Sequence, residues 1–323
     1  MTIKDVAKLT GLSVATISRV LNEDEKVADR TRDKVLAAIK EVGYIPNLLG
    51  RNLRKSSTKM VYVLLPSIDN PFFSGILIGI ESAARMYDYR VVICETFGRE
   101  KRYQDFVQEV KKKLVDGLIF LSPTVSDVIP NGNDLAVVVC GETSDDYDCL
   151  QVDIDNHLAA YDATKYLLGK GRQRIAFAGG DTLSGRLRLD GYKKALIESG
   201  ITPDEDLIFG GAYYYNDGLS CAKRLIKSGA RVDAVLGAGD LVAIGFVREL
   251  ESNGYRVPED VAVMGFDNLE YSEMLAPQLS TVMQPRVDMG KLAFRKLYDR
   301  MQGVDTKHGR TLLEHQIIER GST

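Results

Sequence analysis

The sequence predicts an N-terminal all-α head of helix-turn-helix type, followed by an α/β body of two doubly wound parallel-sheet lobes. Three observations lead there. Residues 1 to 22 place a helix, a glycine break and a second helix at the spacing of a helix-turn-helix. From residue 59 onward, short and nearly continuous apolar runs alternate with helical stretches, as expected of parallel strands covered on both faces. That rhythm starts twice: the run from Val115 to Leu121 is echoed by the run from Val232 to Gly237, so there are two lobes.

In the head, Thr2 and Asp5 form the S/T-x-x-D/E pattern that opens a first helix. Gly11 breaks it, and Ser13 caps a second helix whose Ile17, Val20 and Leu21 share an apolar face. Val14, Ala15, Ser18, Arg19 and Asn22 are left outward. That set suits a major groove: Val14 and Ala15 can approach thymine methyls, and Arg19 can donate twice to guanine O6 and N7. Thr16, Ser18 and Asn22 are placed to anchor phosphates. A third helix is expected over residues 31 to 42, with Val35, Leu36 and Ile39 inward and Asp29 near its positive end. The bland alternative is an ordinary helical hairpin inside a larger domain.

Composition narrows the class. The 323 residues, 45% hydrophobic and 27% charged, suffice for two or three domains. Residues 1 to 60 carry 12 Lys/Arg against 7 Asp/Glu and the rest 30 against 38, so a +5 head precedes a −8 body. Such a chain presents one end to phosphates and keeps the other off them. Cys94, Cys140, Cys149 and Cys221 show no metal-type spacing and read as buried free thiols. With no apolar signal segment and no run of membrane-spanning length, a cytoplasmic location is expected. His157, His308 and His315 form no ligand-like cluster, and neither a Gly-x-Ser-x-Gly elbow nor a Walker loop occurs, so no catalysis, cofactor or structural metal is expected.

Residues 1–45 are thus the head, 46–58 a hinge and linker, and 59–323 the body. Pro46 opens a nine- or ten-residue helix that is marginal in water, and Gly50 inside it costs about 1 kcal/mol relative to Ala. Leu49 and Leu53 lie four apart on one face, so two copies can pair and wedge leucine into the minor groove; a plain tether is the alternative. Ser13, Tyr44, Asn47, Leu53 and Arg54 complete the candidate DNA-binding set. Body strands are expected at 60–66, 90–95, 117–122 and 135–140, then at 174–180, 233–239 and 261–266. Ligands of such sheets bind at the strand carboxyl ends, here between the lobes.

Many motifs in one order give the whole chain a family resemblance. Ile3 to Ala7, Val14 to Asn22, Thr31 to Val35, Gly43 to Asn47, Pro71 to Phe73, Arg186 to Tyr192, Val257 to Val261 and Gly265 to Asn268 carry it. The chain resembles the lactose-repressor (LacI/GalR) family of transcription regulators. The resemblance implies a homodimer whose heads read the half-sites of a palindromic operator, with Leu53 of paired hinge helices at the central step. It also implies a periplasmic-binding-protein-like body with crossovers between lobes near 154–156, 283–287 and 317–319. The N-terminal lobe would be 59–155 and 287–317, and the C-terminal lobe 156–286 and 318–323. Gly50 departs from the Ala common in relatives, and no leucine-repeat tail follows Arg320, which favours a dimer over a tetramer.

Within the cleft, Arg188 and Asp267 match family positions that hold the effector. Their chemistry fits, since a guanidinium fork grips hydroxyls or a carboxylate and a carboxylate accepts from hydroxyl or amine. A surface salt bridge and a helix cap are their bland alternatives. Tyr213 falls where relatives stack an aromatic on the ligand, although Tyr214 and Tyr215 blur the assignment. Phe72 and Phe73 are expected on the opposite wall or in the core, Asp240 in the same crevice or as a helix cap, and Glu142 as an acceptor after its strand. A sugar, a phosphorylated sugar and a nucleoside all remain open as effector. A neutral carbohydrate is favoured, because the expected pocket has few cations beyond Arg188. A phosphoprotein corepressor docking on the N-terminal lobe is the alternative partner. A pure ligand-binding protein would lack residues 1 to 58, and an enzyme would need a nucleophile or phosphate loop at the cleft.

Overall fold

The computed structural model describes residues 2–21, 24, 26–44, 57–122, 135–304 and 308–323. It divides into two compact units, 1–58 and 59–323.

The head consists of α1 (Ile3–Thr10), α2 (Val14–Leu21) and α3 (Asp29–Val42). Asp5 accepts from the backbone N of Thr2 at 2.7 Å, which opens α1 and holds its carboxyl below the usual range. Gly11, at φ +67°, takes the left-handed turn that a side chain would resist. The Ser13 hydroxyl then accepts from the Thr16 amide at 3.1 Å and caps α2. Val6, Ile17, Val20, Val35 and Ala38 form the core. Leu36 departs from expectation, being 50% exposed. The inward stripe of α3 runs Val35, Ala38, Ile39 and Val42, a three-and-four spacing in which Leu36 lies one position off the face.

The body carries two six-stranded sheets. In the N-terminal lobe, β1 (Met60–Leu65), β2 (Arg90–Glu95), β3 (Gly117–Leu121), β4 (Val137–Cys140), β5 (Leu150–Ile154) and β11 (Gly309–Leu313) lie in the order β2-β1-β3-β4-β5-β11, all parallel. In the C-terminal lobe, β6 (Ile175–Ala178), β7 (Ile208–Phe209), β8 (Ala234–Gly237), β9 (Ala262–Asp267), β10 (Ser280–Met283) and β12 (Gln316–Ile318) run β7-β6-β8-β9-β10-β12, with β12 alone antiparallel. Alternation along β1 shows how each sheet is covered on both faces. Val61, Val63 and Leu65 face α4 (Phe72–Met86) and α11 (Arg286–Met301), while Leu64 faces α5 (Glu100–Lys111). The C-terminal sheet is covered by α6 (Asn156–Gly169) and α7 (Leu183–Glu198) on one side, and by α8 (Tyr215–Ser228) and α9 (Asp240–Ser252) on the other, with the short α10 (Tyr271–Met274) after β9.

Three connecting segments cross between lobes. The first lies at Asp155, between β5 and α6, and the second at Gln284–Pro285, between β10 and α11. The third lies at Glu314–His315 instead of 317–319, because Gln316–Ile318 already pairs with β10 in the C-terminal sheet. The α4–α11 pair is drawn to backbone contact by glycine: a Cβ on Gly290 would stand 2.0 Å from the Ile76 carbonyl oxygen, and one on Gly79 equally close to that of Val287.

Candidate functional site

In the head, Val14, Ala15 and Arg19 are exposed along one side of α2, opposite the buried Ile17 and Val20. Thr16 and Ser18 are half-buried, and the Thr16 hydroxyl lies 2.9 Å from that of Ser13. Tyr44 donates its amide to Ile39 and packs its ring partly into the head core. Asn22, Asn47, Gly50, Leu53 and Arg54 lie outside the described residues.

The body holds a cavity of about 560 Å³ at the carboxyl ends of both sheets. From the N-terminal lobe come Asn70, Phe72 and Phe73 at the start of α4, Ser122 after β3, and Glu142 with Tyr147 after β4. From the C-terminal lobe come Asp181 to Ser184, Arg186 and Arg188 around the start of α7, then Tyr213, Tyr214 and Asp267. Six of the seven residues expected at an effector site therefore line one space.

Arg188 is 5% exposed and held on several sides. Its Nε donates to Asn156 Oδ1 at 2.8 Å, its Nη1 donates to the Ala238 carbonyl at 2.5 Å, and Asp267 Oδ1 lies 4.0 Å away. Its guanidinium also stands 3.7 Å from the centre of the Phe266 ring. Asp267 ends β9 at φ +120°, a strained setting for a residue with a side chain, and accepts from Gln284 Nε2 at 2.7 Å. The turn after it is clamped by Arg286 and Arg320, whose Nη2 atoms donate to the carbonyl and side-chain oxygens of Asn268. Burial pushes the Asp267 carboxyl up to about 7, with Arg188 pulling the other way and Asp240 adding to the rise.

Of the three tyrosines, Tyr213 turns into the cleft: its hydroxyl lies 2.9 Å from that of Thr182 and 3.2 Å from that of Ser184. Tyr214 lines the mouth, and Tyr215 begins α8 off the cavity. Phe73 is both wall and core, packed edge-to-face against Phe72 at 5.5 Å between ring centres.

Asp240 is the exception, and the expectation that it faces the crevice is corrected. It is fully buried off the cavity wall, where Oδ2 accepts from the Leu269 amide and the Ser272 hydroxyl and Oδ1 from the Thr281 hydroxyl, each at 2.6 Å. Nor does it cap α9, which starts at Asp240 itself after Gly239. A Cβ on Gly265 would meet its carboxylate at 2.2 Å, so glycine there makes room for a post that shapes the turn carrying Asp267. Sequence reasoning missed Asn156 and Gln284, which sit beside interlobe crossovers and aim Arg188 and Asp267, and also Thr182 and Ser184. A polar residue at each strand-to-helix boundary was the available signal.

Among the described residues, no group of His, Cys, Asp and Glu could hold a metal ion, and no helix is long and apolar enough to cross a membrane. All four cysteines are free and buried.

A helical head joined in one chain to a two-lobed body with a polar cleft has the architecture of a ligand-responsive DNA-binding protein. Residues 2–47 match the model described as bacterial regulatory proteins, lacI family, and residues 164–323 match a periplasmic binding protein-like domain. Catabolite control protein A of Staphylococcus xylosus is 37% identical over 329 residues, covering 100% of this chain and 99% of that protein. The lac repressor dimer bound to operator and the anti-inducer ONPF is similar at TM-score 0.91 and 28% identity, covering 100% of this chain and 98% of that one. A transcriptional regulator CelR–cellobiose complex is similar at TM-score 0.77 and 32% identity, covering 100% of both chains. The chain belongs to the lacI family of bacterial regulatory proteins: it is a DNA-binding transcription regulator, not an enzyme.

Proposed function

We propose that the chain is a repressor that binds a palindromic operator as a homodimer and is controlled by a neutral, sugar-like molecule in the interlobe cavity. The observation that carries this reading is the cavity itself, with aromatic Phe72 on one lobe facing the Arg188–Asp267 pair on the other. An aromatic face stacks on a sugar ring while fixed donors and acceptors orient its hydroxyls, and the volume lies in the range of small-molecule sites. The similar CelR structure holds cellobiose, and the similar lac repressor is a dimer on operator. A nucleoside satisfies the same chemistry and is the second arm of the test. Because the cavity has a wall from each lobe, a bound effector favours one lobe arrangement, and differential affinity for the two arrangements suffices for either induction or corepression. A thermal-shift panel of neutral sugars, nucleosides and sugar phosphates on the full chain identifies the class, since a tight ligand raises stability by mass action. A blank with neutral sugars and nucleosides overturns this effector.

Dimerisation through the N-terminal lobe is supported by an apolar edge. There β2, the last strand of its sheet, exposes Val92 and Ile93, and the adjoining α4 exposes Ile78 (61% exposed) and Met86. Ile93→Asp is expected to shift the protein to monomer in analytical ultracentrifugation and to weaken full-operator binding far more than half-site binding. In the head, Arg19→Ala is expected to relax preference at one operator base pair at a cost of about 1–3 kcal/mol. Titration against single-base operator variants checks it, and a uniform loss across all sequences would assign Arg19 to phosphate contact instead.

A further inference from the structure

Glu142 is bound by the opposite lobe. Gly141 at φ +71° and Glu142 at φ +51° turn the chain sharply after β4, and the carboxylate, only 7% exposed, crosses the cavity. Its Oε2 accepts from the Ser184 backbone N at 3.0 Å, and its Oε1 accepts from the Ser184 hydroxyl at 2.5 Å and from the Thr182 hydroxyl. Those partners form the first turn of α7, a 16-residue helix. Free amides and the helix dipole make such an end a place for an anion, and here the protein's own carboxylate already fills it.

The rest of the lining reinforces this. Asp146, Asp181 and Asp267 are its other carboxylates, against Arg186 and Arg188. The Arg188 charge is balanced by Asp267 at 4.0 Å while its Nε and Nη1 donate to Asn156 and Ala238, and Arg186 donates to the Asp181 carbonyl. An incoming phosphate ester would meet a filled helix end and a carboxylate-rich wall.

We propose that Glu142 sets the charge of the effector: as a built-in occupant of the cavity's anion-accepting end, it admits neutral or cationic polyhydroxylated molecules and turns away phosphate esters and carboxylic acids. This rests on the cavity being the effector site, but its test does not need the effector. The full chain is titrated with inorganic phosphate at constant ionic strength, read by phosphorus-31 line broadening, as wild type and as Glu142→Asn. Asparagine tolerates the left-handed backbone but is uncharged and too short to bridge. Wild type is expected to show no saturable binding. Glu142→Asn is expected to bind phosphate saturably, and Thr182→Ala added to it to weaken that binding several-fold. Equal binding by wild type, or none by a Glu142→Asn protein with wild-type circular dichroism, overturns the proposal. Should Glu142→Asn not fold, Glu142→Gln supplies the same contrast, because a neutral amide holds the helix end less firmly than a carboxylate. If instead neutral sugars and nucleosides fail to stabilise wild type, the effector reading falls while the phosphate contrast still stands.

Discussion

Arg188→Ala is expected to abolish the effector response while leaving operator binding by the effector-free protein intact. Removing a buried charged donor from a binding site costs about 2–5 kcal/mol, so ligand affinity should fall at least about 30-fold. The physical reason reaches past the lost guanidinium. Asn156 Oδ1 and the Ala238 carbonyl would lose their donor inside the cleft. Asp267 would lose the cation that pulls its pKa down while burial still pushes it up, so its carboxyl would shift further toward the neutral form, which is a poorer acceptor. Arg188→Lys restores the charge without the fork and should recover only part of the affinity. Calorimetric titration with the ligand found by thermal shift, paired with an operator titration, reads both halves. Unchanged ligand affinity in Arg188→Ala would remove this residue from the site.

What the sequence disclosed and what it hid divide along physical lines. The head was readable because its signals are local: a capping pattern, a glycine turn and a helical period within 42 residues. The first four strands of the N-terminal sheet read as apolar runs, but β5 did not. Its Gln151 and Asp153 are polar, yet buried because each bonds within the fold, Asp153 to the Thr143 hydroxyl at 2.9 Å and Gln151 to the Ser144 amide at 2.9 Å. The short edge strands β7, β11 and β12 have too little apolar alternation to announce themselves. At the site, Arg188 and Asp267 were visible through family resemblance. Their supports were not, because Asn156 and Gln284 lie 32 and 17 residues away in sequence and meet them only once the lobes are folded. Asp240 was misplaced for a related reason. Composition does not reveal that Gly265 opens a path for its carboxylate beneath β9.

Gly290→Ala separates local preference from packing, because the two predict opposite signs. In a helix interior, Gly to Ala is favourable by about 1 kcal/mol. At the α4–α11 crossing, however, the new methyl would stand 2.0 Å from the Ile76 carbonyl oxygen and 2.9 Å from the Ile80 amide nitrogen. Neither is a side chain that can rotate away, so the two helices must separate. Both pack on the N-terminal sheet, and their contact buries Ile76, Ile80, Met289, Ala293 and Phe294 in the largest apolar core of the body. Overpacking a core costs about 1–3 kcal/mol and more where backbone must move, so a net loss of about 3 kcal/mol is expected despite the propensity gain. Gly169→Ala is the matched control. That glycine ends α6 with no atom within 4 Å of the added carbon, so the change is expected to be neutral or slightly stabilising. Urea unfolding of both variants decides the matter: a Gly290→Ala protein as stable as wild type would mean the helices can part without loss, and the close crossing would no longer explain why glycine stands there.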